Sequence, residues 1–180
     1  AEKYDLPRDT SAEQLQAFLN EKYRIDIGDG PIEQVLDAYQ TVRQEILTFI
    51  EARALFPILE NQDMAILRTP PFMAPSIPAG AMMGPPSFRE GVKRSLVYLT
   101  LSDELMDEHT ALSIPVMMIH EGIPGHHLQL ATAAAHKSVV RRHMWNAVHG
   151  EGWTTMLEDY MLDQGFMGDL TDEARFICKR

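Results

Sequence analysis

The stretch His120-Glu121-Gly122-Ile123-Pro124-Gly125-His126-His127 sets the expectations for the rest of the chain. A histidine followed at once by a glutamate, with more histidines a turn or so later, is the arrangement that a helix-borne zinc hydrolase needs. Imidazole nitrogens suit Zn2+, and three protein ligands leave one position open for water. A carboxylate beside the first ligand can take a proton from that water. The common form of this motif puts its histidines at i and i+4, on one face of one helix. Here the residue four after His120 is Pro124.

The departure has a geometric consequence. A helix turns about 100° per residue, so His127 would return to within about 20° of the face of His120, while His126 would point away. Pro124, however, has no N–H, and its ring crowds the carbonyl of His120. Gly122 and Gly125 flank it with low helix propensity. A regular helix is therefore not expected. If Pro124-Gly125 is a two-residue bulge in an HExxH pattern, His126 takes the second place, and bulges of that kind often mark functional sites. Spacing alone leaves both His126 and His127 open.

His120-Glu121-Gly122-Ile123-Pro124-Gly125-His126-His127-Leu128-Gln129, with Gly150-Glu151-Gly152-Trp153 after it, resembles the HExxPGHHxQ and EGW signatures of a large bacterial family. That family is domain of unknown function 885, grouped with the zincin-like metallopeptidases. The resemblance is clearest over residues 98–160. It implies His120 and His126 as zinc ligands, Glu121 as general base and Glu151 as third ligand on a following helix, a gluzincin arrangement. Family members are several times longer, so it also implies that the chain is an internal piece.

The composition frames this. The chain has 180 residues, 45% apolar and 23% charged, which suits one globular domain with a real core. Its net charge of −10 argues against nucleic acid or an anionic membrane surface as partner. No apolar run is long enough to span a bilayer. Cys178 is the single cysteine, so no internal disulfide is possible. That does not locate the protein, and a bacterial, exported protein is compatible with it.

Ser11 is placed to cap a helix over 12–23 with Leu15, Phe18 and Leu19 on one face. Gly28-Asp29-Gly30 breaks the chain. A longer helix over 32–55 carries the stripe Ile32, Val35, Leu36, Tyr39, Val42, Ile46, Leu47 and Ile50. Residues 57–91 hold seven of the eleven prolines, which excludes helix and central strands. Short edge strands are placed at 66–68 and 79–83, and the best strand at 94–100. Ser113 is expected to cap the metal helix, with Pro115 in its first turn. Helix is expected to continue from Leu128 to about His143. Another runs from near His149 to Gln164, and a last one starts at Thr171. Glu151 and Glu158 are seven apart and share a face, so Glu158 is a candidate to hold a ligand histidine through its free N–H. His149 is a rival ligand. His109 reads as structural, His136 and His143 as part of a solvated basic face, and Trp153 as packing against the metal helix.

The expected fold is α+β and mostly α: a zincin-like core of metal-binding helices and a small antiparallel sheet, in one domain over residues 1–180. The expected function is Zn2+-dependent hydrolysis of a peptide, with Glu121 moving the proton from water to the leaving amine. Two alternatives are a non-catalytic metal-binding scaffold and a hydrolase of non-peptide amides or esters.

Overall fold

The computed structural model describes residues 2–179. Helix α1 (Ala12–Lys22) opens on a reciprocal cap. Ser11 Oγ accepts from the Gln14 amide at 3.2 Å, and Gln14 Oε1 accepts from the Ser11 amide at 2.8 Å. Helix α2 (Val35–Arg53) follows a short 3-10 turn at Ile32–Gln34 and ends where Ala54 turns left-handed, at φ 51°. Its stripe of Val35, Tyr39, Ile46 and Ile50 is buried. That is the core-facing role its spacing predicts.

Three strands follow: β1 (Gln62–Arg68), β2 (Gly80–Met83) and β3 (Lys93–Leu99). The order is β1-β3-β2, so β3 is central and the other two are edges. β1 runs parallel to β3, with Met64 opposite Ser95, whereas β2 runs antiparallel to it, with Met82 opposite Val97. The sheet is therefore mixed, a correction to the antiparallel sheet expected. The physical reason lies in the prolines. All seven in 57–91 fall outside the strands, where they cost no ladder hydrogen bond. Six of them, all but Pro57, lie in the two connections that carry the chain across β3 and back, and this return sets β3 parallel to β1. Along β3, Lys93, Ser95, Val97 and Leu99 are buried, an alternation that puts one face on the core.

The remaining helices are α3 (Ser113–Met117), α4 (His126–Ala135), α5 (Val139–His143), α6 (Ala147–Asp163) and α7 (Thr171–Cys178). One core joins α2, the sheet, α3 and α6 through Tyr39, Ile50, Val97, Ile114, Leu157 and Met161. The fold is α+β and mostly helical. Among the described residues, no helix is long and apolar enough to cross a membrane. His109 is fully buried in this core: Tyr39 Oη–H donates to its Nδ1 at 2.8 Å, and its Nε2–H donates to the Thr100 carbonyl at 3.2 Å. Burial holds its pKa below the usual histidine value.

Two helix boundaries differ from expectation. Ser113 is the first residue of α3 and not its cap: the N-cap position is Leu112, which makes no side-chain cap bond, and Thr110 Oγ1 accepts from the amides of Leu112 and Ser113 at the helix entry. α4 stops at Ala135 because the Ser138 amide donates to His136 Nδ1 at 2.9 Å. In a continuing helix that amide would bond a backbone carbonyl. α5 is thus a separate short helix.

Candidate metal centre

α3 does not stop at Met117. It runs on into a π-helical turn, Met118–Gly122, that carries His120 and Glu121. Such turns recur at functional sites. The chain then reverses through Ile123-Pro124-Gly125, with a cis peptide before Pro124, and α4 begins afresh at His126. A Cβ on Gly125 would lie 1.9 Å from the His120 carbonyl oxygen and 2.2 Å from that of Ile119. Only glycine allows so close an approach. The expected bulge within one helix is therefore a break between two, with His120 before it and His126 and His127 after it.

α6 supplies the third group. The Asn146 side chain caps it by accepting from the His149 amide at 3.0 Å. Gly150 leaves room for the Trp145 indole, whose Nε1 would lie 2.9 Å from a Cβ there. Trp153 Nε1–H donates to the Pro124 carbonyl at 3.0 Å, so the tryptophan of the EGW motif ties α6 to the turn between the two histidines.

These elements bring His120, His126 and Glu151 together, with one ligand atom from each lying within 4.8 Å of the others. Glu151 Oε2 is 3.4 Å from His120 Nε2 and 3.5 Å from His126 Nε2. Tetrahedral Zn2+, with bonds of about 2.0–2.2 Å, sets ligand atoms roughly 3.3–3.5 Å apart. The two imidazoles meet edge-on, 5.0 Å between centroids at 84°. The donor set, and the two distances from Glu151 to the imidazoles, are of the kind a zinc ion takes. Among the described residues this is the one such cluster of His, Cys, Asp and Glu.

Glu158 lies one helical repeat beyond Glu151 and accepts from His120 Nδ1–H at 2.6 Å. That bond fixes the tautomer that leaves Nε2 free to coordinate. Burial opposes a charge on His120, but the Glu158 hydrogen bond and the charges of Glu121, Glu158 and Glu151 outweigh it and hold its pKa above the usual value. Glu121, next to His120 in the chain, is half-buried. Burial raises its pKa, against the pull of His120, His126 and the backbone amide of Met82 on strand β2.

His127 takes no part in the cluster. It is fully buried with both nitrogens bonded to the sheet: Ser95 Oγ–H donates to Nδ1 at 2.7 Å, and Nε2–H donates to Gln62 Oε1 at 2.5 Å. His149 is exposed on the first turn of α6 and outside the cluster. His136 lies in the bend after α4 and His143 at the end of α5, where its ring sits 5.9 Å from that of Phe88. Sequence reasoning missed Ser95, Gln62 and Met82. They come from strands far along the chain, and no local signal marks them.

Residues 2–177 match a family described as bacterial protein of unknown function (DUF885). The chain belongs to that family. Its fold is similar to the crystal structure of a "putative lipoprotein" from Colwellia psychrerythraea, with a TM-score of 0.77 and 20% identity over 92% of this chain and 28% of that one. It is also similar to a "putative lipoprotein of unknown function" from Shewanella oneidensis, with a TM-score of 0.72 and 17% identity over 97% of this chain and 32% of that one. The chain thus spans about a third or less of the length of these two relatives. No curated protein matches it.

Proposed function

We propose that this DUF885 chain carries a Zn2+-dependent hydrolytic site of the gluzincin kind, acting on a peptide or small amide. The observation that supports it most is the convergence of His120, His126 and Glu151, whose ligand atoms lie within 4.8 Å of one another with Glu151 Oε2 3.4 Å and 3.5 Å from the two Nε2 atoms, and with Glu121 on the same turn as His120. Bound Zn2+ would supply Lewis acidity, making water more acidic and a carbonyl more electrophilic. Glu121 Oε would take the proton of the attacking water and deliver it to the leaving nitrogen. Its partial burial suits that task, because a carboxylate raised toward neutral pH both accepts and returns a proton. Glu158 would keep His120 turned toward the ion, and Glu151 would complete the ligand set.

The edge position of β2 favours an extended substrate. A peptide laid beside Gly80–Met83 would carry its amides past Glu121, since the Met82 amide already faces that carboxylate. The description of both solved relatives as lipoproteins supports an exported bacterial protein.

The direct experiment is elemental analysis of chelator-free protein together with peptide hydrolysis by wild type and Glu121→Gln. The reading expects one zinc per chain in both, and a loss of roughly 10²–10⁴-fold in turnover in the variant. Equal turnover by the two proteins would remove Glu121 from the mechanism.

A further inference from the structure

The first turn of α4 carries a ligand, yet little in the local backbone fixes how that turn is rotated. No side chain caps α4, and Gly125 before it has no side chain at all. Neighbouring residues on a helix point about 100° apart. Whatever holds His127 in one direction therefore also sets the direction of His126. His127 is held by two strands at once, through Ser95 of β3 and Gln62 of β1. Gln62 Oε1 can only accept, so Nε2 of His127 carries the proton and Nδ1 accepts from Ser95. The pair of bonds specifies one ring orientation and one tautomer. The other side of the same turn is held by Trp153 through the Pro124 carbonyl.

We propose that His127 is a positioning residue for the metal site: it registers α4 against the sheet through Ser95 and Gln62 and so aims His126 Nε2 at the point shared with His120 and Glu151. The inference rests on the zinc reading above. It also makes the sheet a common frame for ligand and base. Ser95 lies two residues along β3 from Val97, the partner of Met82, and the Met82 amide in turn faces Glu121. A buried hydrogen-bonded histidine that served the fold alone would show the same two bonds, so the test must read the metal and not only stability.

The variants are His127→Leu, which keeps apolar bulk and loses both bonds, His127→Gln, whose terminal amide can still reach Gln62, and Ser95→Ala, which removes one bond with little change in volume. Each is titrated with Zn2+ against a chromophoric chelator, and its Co2+ complex is recorded in the visible. Melting in excess chelator measures the fold without metal. His127→Leu is expected to bind Zn2+ roughly 10–100-fold more weakly, the range for residues that orient a ligand, with an altered Co2+ spectrum. His127→Gln and Ser95→Ala should fall between it and wild type. If His127→Leu fails to fold, a weaker affinity in Ser95→Ala still supports the inference and an unchanged one overturns it. Wild-type Zn2+ affinity and Co2+ spectrum in His127→Leu, whatever its melting temperature, would show that the residue serves the fold alone. A wild-type protein that takes up no Zn2+ would sink the metal reading and this inference together.

Discussion

The indole Nε1–H of Trp153 donates to the carbonyl of Pro124 at 3.0 Å. This single bond joins the helix that carries Glu151 to the turn that separates His120 from His126. Its ring also meets Phe56 nearly at right angles, 6.3 Å between centroids, at the edge of the core. Trp153→Phe keeps much of that packing and removes the bond. It should cost about 1 kcal/mol of stability and weaken Zn2+ binding. Chelator competition and thermal melting of the variant check both, and unchanged Zn2+ affinity would reduce Trp153 to a packing residue.

Glu158 should matter through His120 rather than by touching the metal. Glu158→Ala leaves His120 Nδ1–H without its 2.6 Å acceptor. The expected result is a roughly 10–100-fold loss of Zn2+ affinity, smaller than the loss on replacing His126 itself. Glu158→Gln, which keeps an acceptor but not the charge, should lie between. A Glu158→Ala protein with the affinity of wild type would leave the Glu158–His120 bond without a role at the metal.

Gly125 should tolerate no side chain. A Cβ there would overlap the His120 carbonyl at 1.9 Å, and backbone, unlike the end of a flexible side chain, cannot step aside. Gly125→Ala should separate the two ligand histidines or unfold the turn. Isothermal titration with Zn2+ should show no tight site. Wild-type binding by this variant would mean that the turn has a conformation other than the one described.

Two buried histidines should make the metal-free fold acid-sensitive. His109 and His127 both have pKa values depressed by burial, that of His127 to about 4 with the Arg43 charge adding to the effect. A folded pKa below the unfolded value of about 6.5 means that the unfolded chain binds more protons. Their contribution is therefore present in full above about pH 6.5 and is lost as pH falls toward 4. For His127 the difference corresponds to about 3 kcal/mol when the loss is complete. His120, whose pKa is raised, works in the opposite sense. Chemical denaturation of the metal-free protein at several pH values, compared with His127→Leu, isolates the term. A variant with the same acid slope as wild type would contradict it.

Some of this was legible in the sequence and some was not, for physical reasons. Ser11 and Gln14 lie three apart and announce a helix start by local chemistry alone. The stripe from Val35 to Ile50 announces a buried helix by period. His120 and Glu121 stood out as an adjacent histidine and glutamate, but Pro124 hid whether His126 or His127 belonged with them, and only the resemblance to the family's signatures singled out His126 and Glu151. That choice depended on what faces His127, and its partners Ser95 and Gln62 are 32 and 65 residues away. The sense of β1 relative to β3 depended on the path of proline-rich connections that have no period to read. The end of α4 turned on one side chain, His136, competing for the amide of Ser138.

The central claim is that His120, His126 and Glu151 hold one zinc ion. Crystals grown without chelator and measured on both sides of the zinc absorption edge test it most directly. The account expects one anomalous peak per chain, about 2.0–2.2 Å from Nε2 of His120, Nε2 of His126 and a carboxylate oxygen of Glu151. A peak on His127, His136, His143 or His149 instead, or none in protein with ordered histidines and zinc in the medium, would contradict it.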